Sequence, residues 1–105
     1  MSPLHRVCGT DDLAVGQASR FLVGETAICL VRTNDGYRAI GDTCSHEDYS
    51  LAEGEVDLDE CEIECWKHGS MFSLLTGVPT TFPATRPVPV YEVVVSEHEV
   101  SVVIG

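Results

Sequence analysis

The chain carries Cys44-Ser45-His46 and, with eighteen residues between His46 and Cys65, Cys65-Trp66-Lys67-His68. Each pair occupies so few residues that only a tight loop presents both side chains to one point. Thiolates and imidazoles are soft to borderline ligands, and four of them on two loops make a metal site. This constrains the fold directly, because the two motifs must meet whatever the rest of the chain does. A C2H2 zinc finger places both cysteines first, both histidines last and a helix behind them. Here the order is Cys, His, Cys, His with no recognition helix, which excludes a finger and leaves another structural zinc site or an iron-sulfur centre open.

Short apolar or alternating segments recur along the sequence: RFLVG, TAICLVRT, YRAIGD, CEIEC, VYEVVVS and EVSVVIG. They are rich in β-branched and aromatic residues, which fit a pleated sheet, and Gly, Pro, Asn and Asp separate them. Residues 33–37, TNDGY, carry an Asp-Gly pair that predicts a tight hairpin between TAICLVR and YRAIGD. SEHE predicts a second turn, folding VYEVVV back onto VSVVIG. No long window keeps a helical period, and TDDLAVGQA holds a turn or two at most. The expected fold is all-β, a small sandwich or partly open barrel. At 105 residues the chain has room for one domain, 1–105. Residues 42–86 hold both Cys/His pairs, so they read as a lobe inserted in a β base.

Six Lys and Arg face seventeen Asp and Glu, a net charge of −11. Such a molecule repels phosphate backbones and anionic lipid, so neither nucleic acid nor membrane is an expected partner. AICLV and EVVVS are far too short to span a bilayer, and the N-terminus shows no apolar core of signal-peptide length and no twin arginine. The five cysteines are odd in number and irregular in spacing. A cytoplasmic monomer is expected, in which metal binding rather than disulfides explains some of them. Residues 53–64, EGEVDLDECEIE, hold seven carboxylates. The plain reading is a solvated strand face; because the run joins the two ligand loops, it also predicts a negative rim that steers a basic partner.

C-x-H, a spacer of this size, then C-x-x-H followed by Gly69 and Ser70 resembles the signature of Rieske [2Fe-2S] proteins. The stretch HGSMFSLLTGVPTTFPATRPVPVYEVVV is similar to the segment after the second motif in small Rieske ferredoxins of bacterial multicomponent oxygenases. The resemblance implies the Rieske fold: antiparallel β sheets, with a cluster-binding lobe of about residues 42–86 inserted in a β base. It implies one [2Fe-2S] cluster per chain, with Cys44 and Cys65 on one iron and His46 and His68 on the other. Two ferric ions, two sulfides and two thiolates cancel in charge, whereas four thiolates leave a dianion that resists reduction. Rieske potentials accordingly lie at roughly −150 to +300 mV, against about −400 mV for all-Cys plant-type ferredoxins.

Residues beside the ligands divide the family. Respiratory Rieske proteins carry an extra Cys in each ligand loop, and their disulfide ties the loops together; Tyr49 and Lys67 stand at those places here. Ser70 is kept, but Phe72 replaces a Tyr whose hydroxyl stabilises the reduced cluster in that class. The resemblance thus implies a low potential, nearly independent of pH around neutrality. Trp66, Gly69 and Ser70 are the neighbours it places against the cluster, Gly69 because backbone amides must approach sulfide closely. VPTTFPATRPVPV reads as a stiff extended loop, and the resemblance implies that it covers one side of the cluster. Cys29 is read as a small buried hydrophobe, and His5 and His98 as surface residues. Cys61 shares a strand face with Cys65 at two-residue alternation yet matches no ligand of the family.

The function implied is that of a one-electron carrier and not an enzyme. It would pass electrons from an NAD(P)H-dependent flavoprotein ferredoxin reductase to a terminal non-haem iron oxygenase. The alternatives are a Rieske-like small subunit of a nitrite reductase-type enzyme and, from a different class, a structural zinc module.

Overall fold

The computed structural model describes residues 4–45, 49–67 and 69–104. Among them the strands are β1 (Leu4–Gly9), β2 (Ala18–Val23), β3 (Thr26–Thr33), β4 (Gly36–Gly41), β5 (Val56–Asp57), β6 (Glu62–Glu64), β7 (Met71–Ser73), β8 (Val90–Ser96) and β9 (Glu99–Val103), with one 3-10 turn at Leu51–Glu53. All pair antiparallel. The expected all-β architecture is what the chain forms. Six strands make the base, in the order β1-β9-β8-β4-β3-β2, and β5-β6-β7 make a separate small sheet. Strands β1 and β2, at opposite ends of the base order, touch, so the base curls into a partly open barrel.

The strand TAICLVRT is β3 throughout its length. Its unbroken apolar run has a physical reason, because both faces are covered. Ile28 and Leu30 join a buried cluster with Cys8, Leu13, Ala39, Val100 and Val102 inside the base. Cys29 and Val31 point the other way, into a cluster with Ile40, Cys44, Leu51, Ile63, Cys65, Phe72 and Leu74. Period-two alternation therefore divides one strand between two cores.

Both expected hairpins form, one with a different turn. Thr33 pairs with Gly36, so the two-residue loop is Asn34-Asp35 and not Asp35-Gly36. Gly36 opens β4 at φ 149°, a value glycine adopts readily, and Thr33 Oγ1 donates to Asp35 Oδ1 at 2.8 Å across the turn. The second hairpin turns through Glu97-His98, with Glu97 at φ 56°. Residues 10–17 form turns and no helix.

The lobe leaves the base after β4 and returns at β8, whose Val90 and Tyr91 pair with Ile40 and Ala39. At its foot Gly41 N–H donates to the Pro89 carbonyl at 2.8 Å. The insertion thus runs through residue 89, slightly past the expected 86.

Candidate metal centre

The two motif loops close in the same way. Cys44 N–H donates to the Tyr49 carbonyl at 2.9 Å, and Cys65 N–H donates to the Ser70 carbonyl at 2.7 Å. In each, a backbone bond across five residues pinches the loop at its cysteine. Thr43 pairs with Ser50 below the first loop, and Gly69 N–H returns to the Cys65 carbonyl at 2.8 Å within the second. Cys44 and Cys65 are 2% and 0% exposed and lie in one buried cluster. His46 and His68, the two imidazoles of the motifs, lie outside the described residues, as do Glu47 and Asp48.

Gly69 sits at φ +77°, and a Cβ added there would meet no described protein atom within 4 Å. The requirement for glycine is therefore the left-handed backbone and not protein crowding. Ser70 is fully buried, and its Oγ accepts from Ala84 N–H at 3.0 Å. A hydroxyl that accepts this way keeps its own proton to donate. Phe72 is buried in the lobe core and contributes no polar group there.

The proline-rich segment reaches both loops. Ala84 holds Ser70 of the second, while Ser45 Oγ of the first donates to the Arg86 carbonyl at 2.5 Å. Thr81 Oγ1 accepts from Met71 N–H at 2.8 Å, and Thr80 N–H donates to the Met71 carbonyl at 2.8 Å. The segment straps the two loops together from one side. The two loops also meet through a contact that the sequence does not disclose. The rings of Tyr49 and Trp66 meet edge to face with centroids 5.3 Å apart, and Lys67 Nζ lies 5.7 Å from the Tyr49 centroid and 5.9 Å from that of Trp66. Tyr49 and Lys67 are the residues at which respiratory relatives would carry the loop-tying disulfide. A cation-π contact occupies that place here.

Two other cysteines are set apart by their surroundings. Burial, and then the Asp42 carboxylate, push the Cys29 thiol upward. Burial also raises the Cys61 thiol, against the lowering pull of Arg38. A thiol kept protonated is a poor ligand. Cys61 adopts φ 55° just before β6, so the alternation with Cys65 inferred from CEIEC does not run through it. It lines a hollow of about 400 Å³ with Asp35, Arg38 and Leu75.

In the spacer, Glu62 and Glu64 flank fully buried Ile63 on β6, the alternation of a half-buried strand. Asp57 Oδ1 accepts from the N–H groups of Asp59 and Glu60 at 3.1 and 3.2 Å and so shapes the turn into β6. Among the described residues none of the seven carboxylates from Glu53 to Glu64 forms an ion pair, and none is buried, so the run carries an unpaired negative charge.

Residues 4–92 match the family model of the Rieske [2Fe-2S] domain. Ferredoxin CarAc of Metapseudomonas resinovorans is 41% identical over 98 residues, covering 92% of this chain and 90% of that protein. The solved ferredoxin of carbazole 1,9a-dioxygenase from Nocardioides aromaticivorans IC177 superposes with a TM-score of 0.93 at 36% identity, over 97% of this chain and 98% of that one. A solved complex of reduced oxygenase and oxidised ferredoxin in carbazole 1,9a-dioxygenase contains a chain with a TM-score of 0.87 and 38% identity, over 98% of this chain and 94% of that one.

Proposed function

This chain belongs to the Rieske [2Fe-2S] domain family, and from that premise we propose that it is the ferredoxin component of a bacterial ring-hydroxylating dioxygenase system. Its cofactor is a [2Fe-2S] cluster, which when bound takes up and gives back one electron. Electrons would arrive from an NAD(P)H-dependent flavoprotein reductase and leave to a terminal non-haem iron oxygenase. We read residues 1–105 as one such domain acting as a cytoplasmic monomer; among the described residues no helix is long and apolar enough to cross a membrane.

The observation that carries the reading is the pairing of the motif loops, each closed from its cysteine N–H to the carbonyl five residues on, with both thiols in one buried cluster. The donor set fits the family's cluster. Cys44 and Cys65 would hold one iron, and His46 and His68 the other. Ser70 would direct its hydroxyl proton to the cluster while its oxygen holds Ala84. Gly69 leaves space beside the second loop, and Trp66 in that loop and Phe82 in the proline-rich segment are exposed apolar side chains, at 48% and 83%. The two imidazoles would give the electron its way out toward a partner. With Phe72 and a cation-π contact standing where respiratory relatives have a hydroxyl and a disulfide, the potential should be low within the Rieske range. The carboxylate run from Glu53 to Glu64 would draw a basic partner surface toward the lobe.

Anaerobic purification tests the reading. The protein should be red-brown, bleach partly with dithionite and then give an electron paramagnetic resonance signal of a one-electron-reduced Rieske centre. A colourless, iron-poor protein ends the proposal. His68→Cys should retain a cluster at a lower potential. Neutralising Glu53, Glu55 and Asp57 together should slow reduction by the partner at low salt and lose that effect at high salt.

A further inference from the structure

Asp42 stands two residues before Cys44 and belongs to no ligand set, yet it is only 2% exposed. Each of its polar groups has a partner. Its N–H donates to the Ala27 carbonyl at 3.1 Å, and its carbonyl accepts from Leu51 N–H at 2.6 Å. Its Oδ1 accepts from Ala52 N–H at 3.0 Å, and its Oδ2 lies 3.2 Å from Arg20 Nε. Ala27 is on β3, Arg20 on β2, and Leu51 and Ala52 begin the 3-10 turn that ends the first ligand loop. One residue therefore ties the start of that loop to its end, and both to the base.

A neutral side chain could hold Ala52 N–H in this way. A carboxylate adds a buried charge, which is costly unless a cation answers it. The cation is Arg20, whose side chain is 50% exposed while that of Asp42 is 2% exposed. The positive member thus sits on the solvent side, where its charge is partly screened, and the negative member sits under the cluster loop. A fixed negative charge in the interior opposes the arrival of an electron nearby.

We propose that Arg20 and Asp42 are a positioning and tuning pair: Asp42 sets the posture of the first ligand loop and holds the cluster's electron affinity down, and Arg20 limits how far. The inference rests on the reading of the chain as a [2Fe-2S] carrier.

Redox titration of the iron-loaded protein, followed by visible and electron paramagnetic resonance spectra, tests it with two variants. Asp42→Asn keeps an oxygen for Ala52 N–H and removes the charge; it should favour the reduced form about tenfold, which is 59 mV for a one-electron couple. Arg20→Gln exposes the carboxylate's field and should disfavour reduction severalfold, with the resonance line shape of the wild type. Opposite signs are the signature, because a loosened lobe would move both potentials the same way. Two unchanged potentials, or two shifts of one sign, overturn the inference. Should Asp42→Asn fail to fold or load iron, Arg20→Gln decides alone, and a potential no lower than the wild type's overturns it. A wild type without a [2Fe-2S] spectrum overturns the carrier reading and this inference together; a normal spectrum with unresponsive variants overturns this inference only.

Discussion

In the base, strands run five to eight residues and pair along most of their length. In the lobe they run two or three. Ladder bonds and an apolar interior hold the first: Ile28, Leu30, Val100 and Val102 are all fully buried. Each such side chain contributes about 1.5–3 kcal/mol of burial. The lobe has too little ladder for that. Its motif loops are closed by isolated backbone bonds and tied to their surroundings by single bonds between side chain and backbone, at Asp42, Ser45, Ser70 and Thr81, and backbone passes close against backbone at Gly54 and Gly77. The base is thus specified by many interchangeable contacts, and the lobe by a few that have no substitute. A site that would present four ligands from two loops, as proposed, would gain its precision from the second kind of construction.

The contrast breaks most severely at Gly54. A Cβ there would lie 1.6 Å from the Glu64 carbonyl oxygen, so the chain entering β5 and the strand leading to Cys65 cannot both stay in place. Gly54→Ala should cost more than about 4 kcal/mol and abolish iron loading; thermal melts and iron analysis check it. Ile28→Ala, in the base core, should cost about 3 kcal/mol by melting yet leave the reduction potential of the surviving folded protein unchanged. Ser70→Ala strands the buried Ala84 N–H. It should cost about 1–2 kcal/mol and, unlike Ile28→Ala, lower the potential in a redox titration. The smallest effect is expected at Lys67→Gln, which removes the cation between the two loops. About 0.5 kcal/mol is expected in a chemical denaturation curve, with faster amide exchange confined to the motif loops.

Much of the base could be read from the sequence, because alternation and β-branched runs report burial over several residues. Its first strand could not. β1 carries a register shift between Arg6 and Cys8, and a bulge moves later side chains to the other face, which erases the period. β5 and β7 are too short to have one. In the site, Cys44, His46, Cys65 and His68 announce themselves by type and spacing, and family likeness points to Gly69 and Ser70. Asp42 and Arg20 carry no such mark. Asp42 ends YRAIGD like any polar residue closing a strand, and its burial follows only from the first loop folding back over it. Gly54 is equally silent, since its neighbour across the gap is a carbonyl on another strand. The hairpin at residues 33–36 differs by one position because Asn34 and Gly36 offer competing places for the turn.

Because β3 is walled in on both sides, parity becomes a design variable. Exchanging residue 29 or 31 reshapes the chamber that holds the two motif thiols, whereas exchanging 28 or 30 alters only the scaffold behind it. Two neighbours in the same tetrapeptide would then yield unrelated phenotypes, one seen by a voltammeter and the other by a calorimeter.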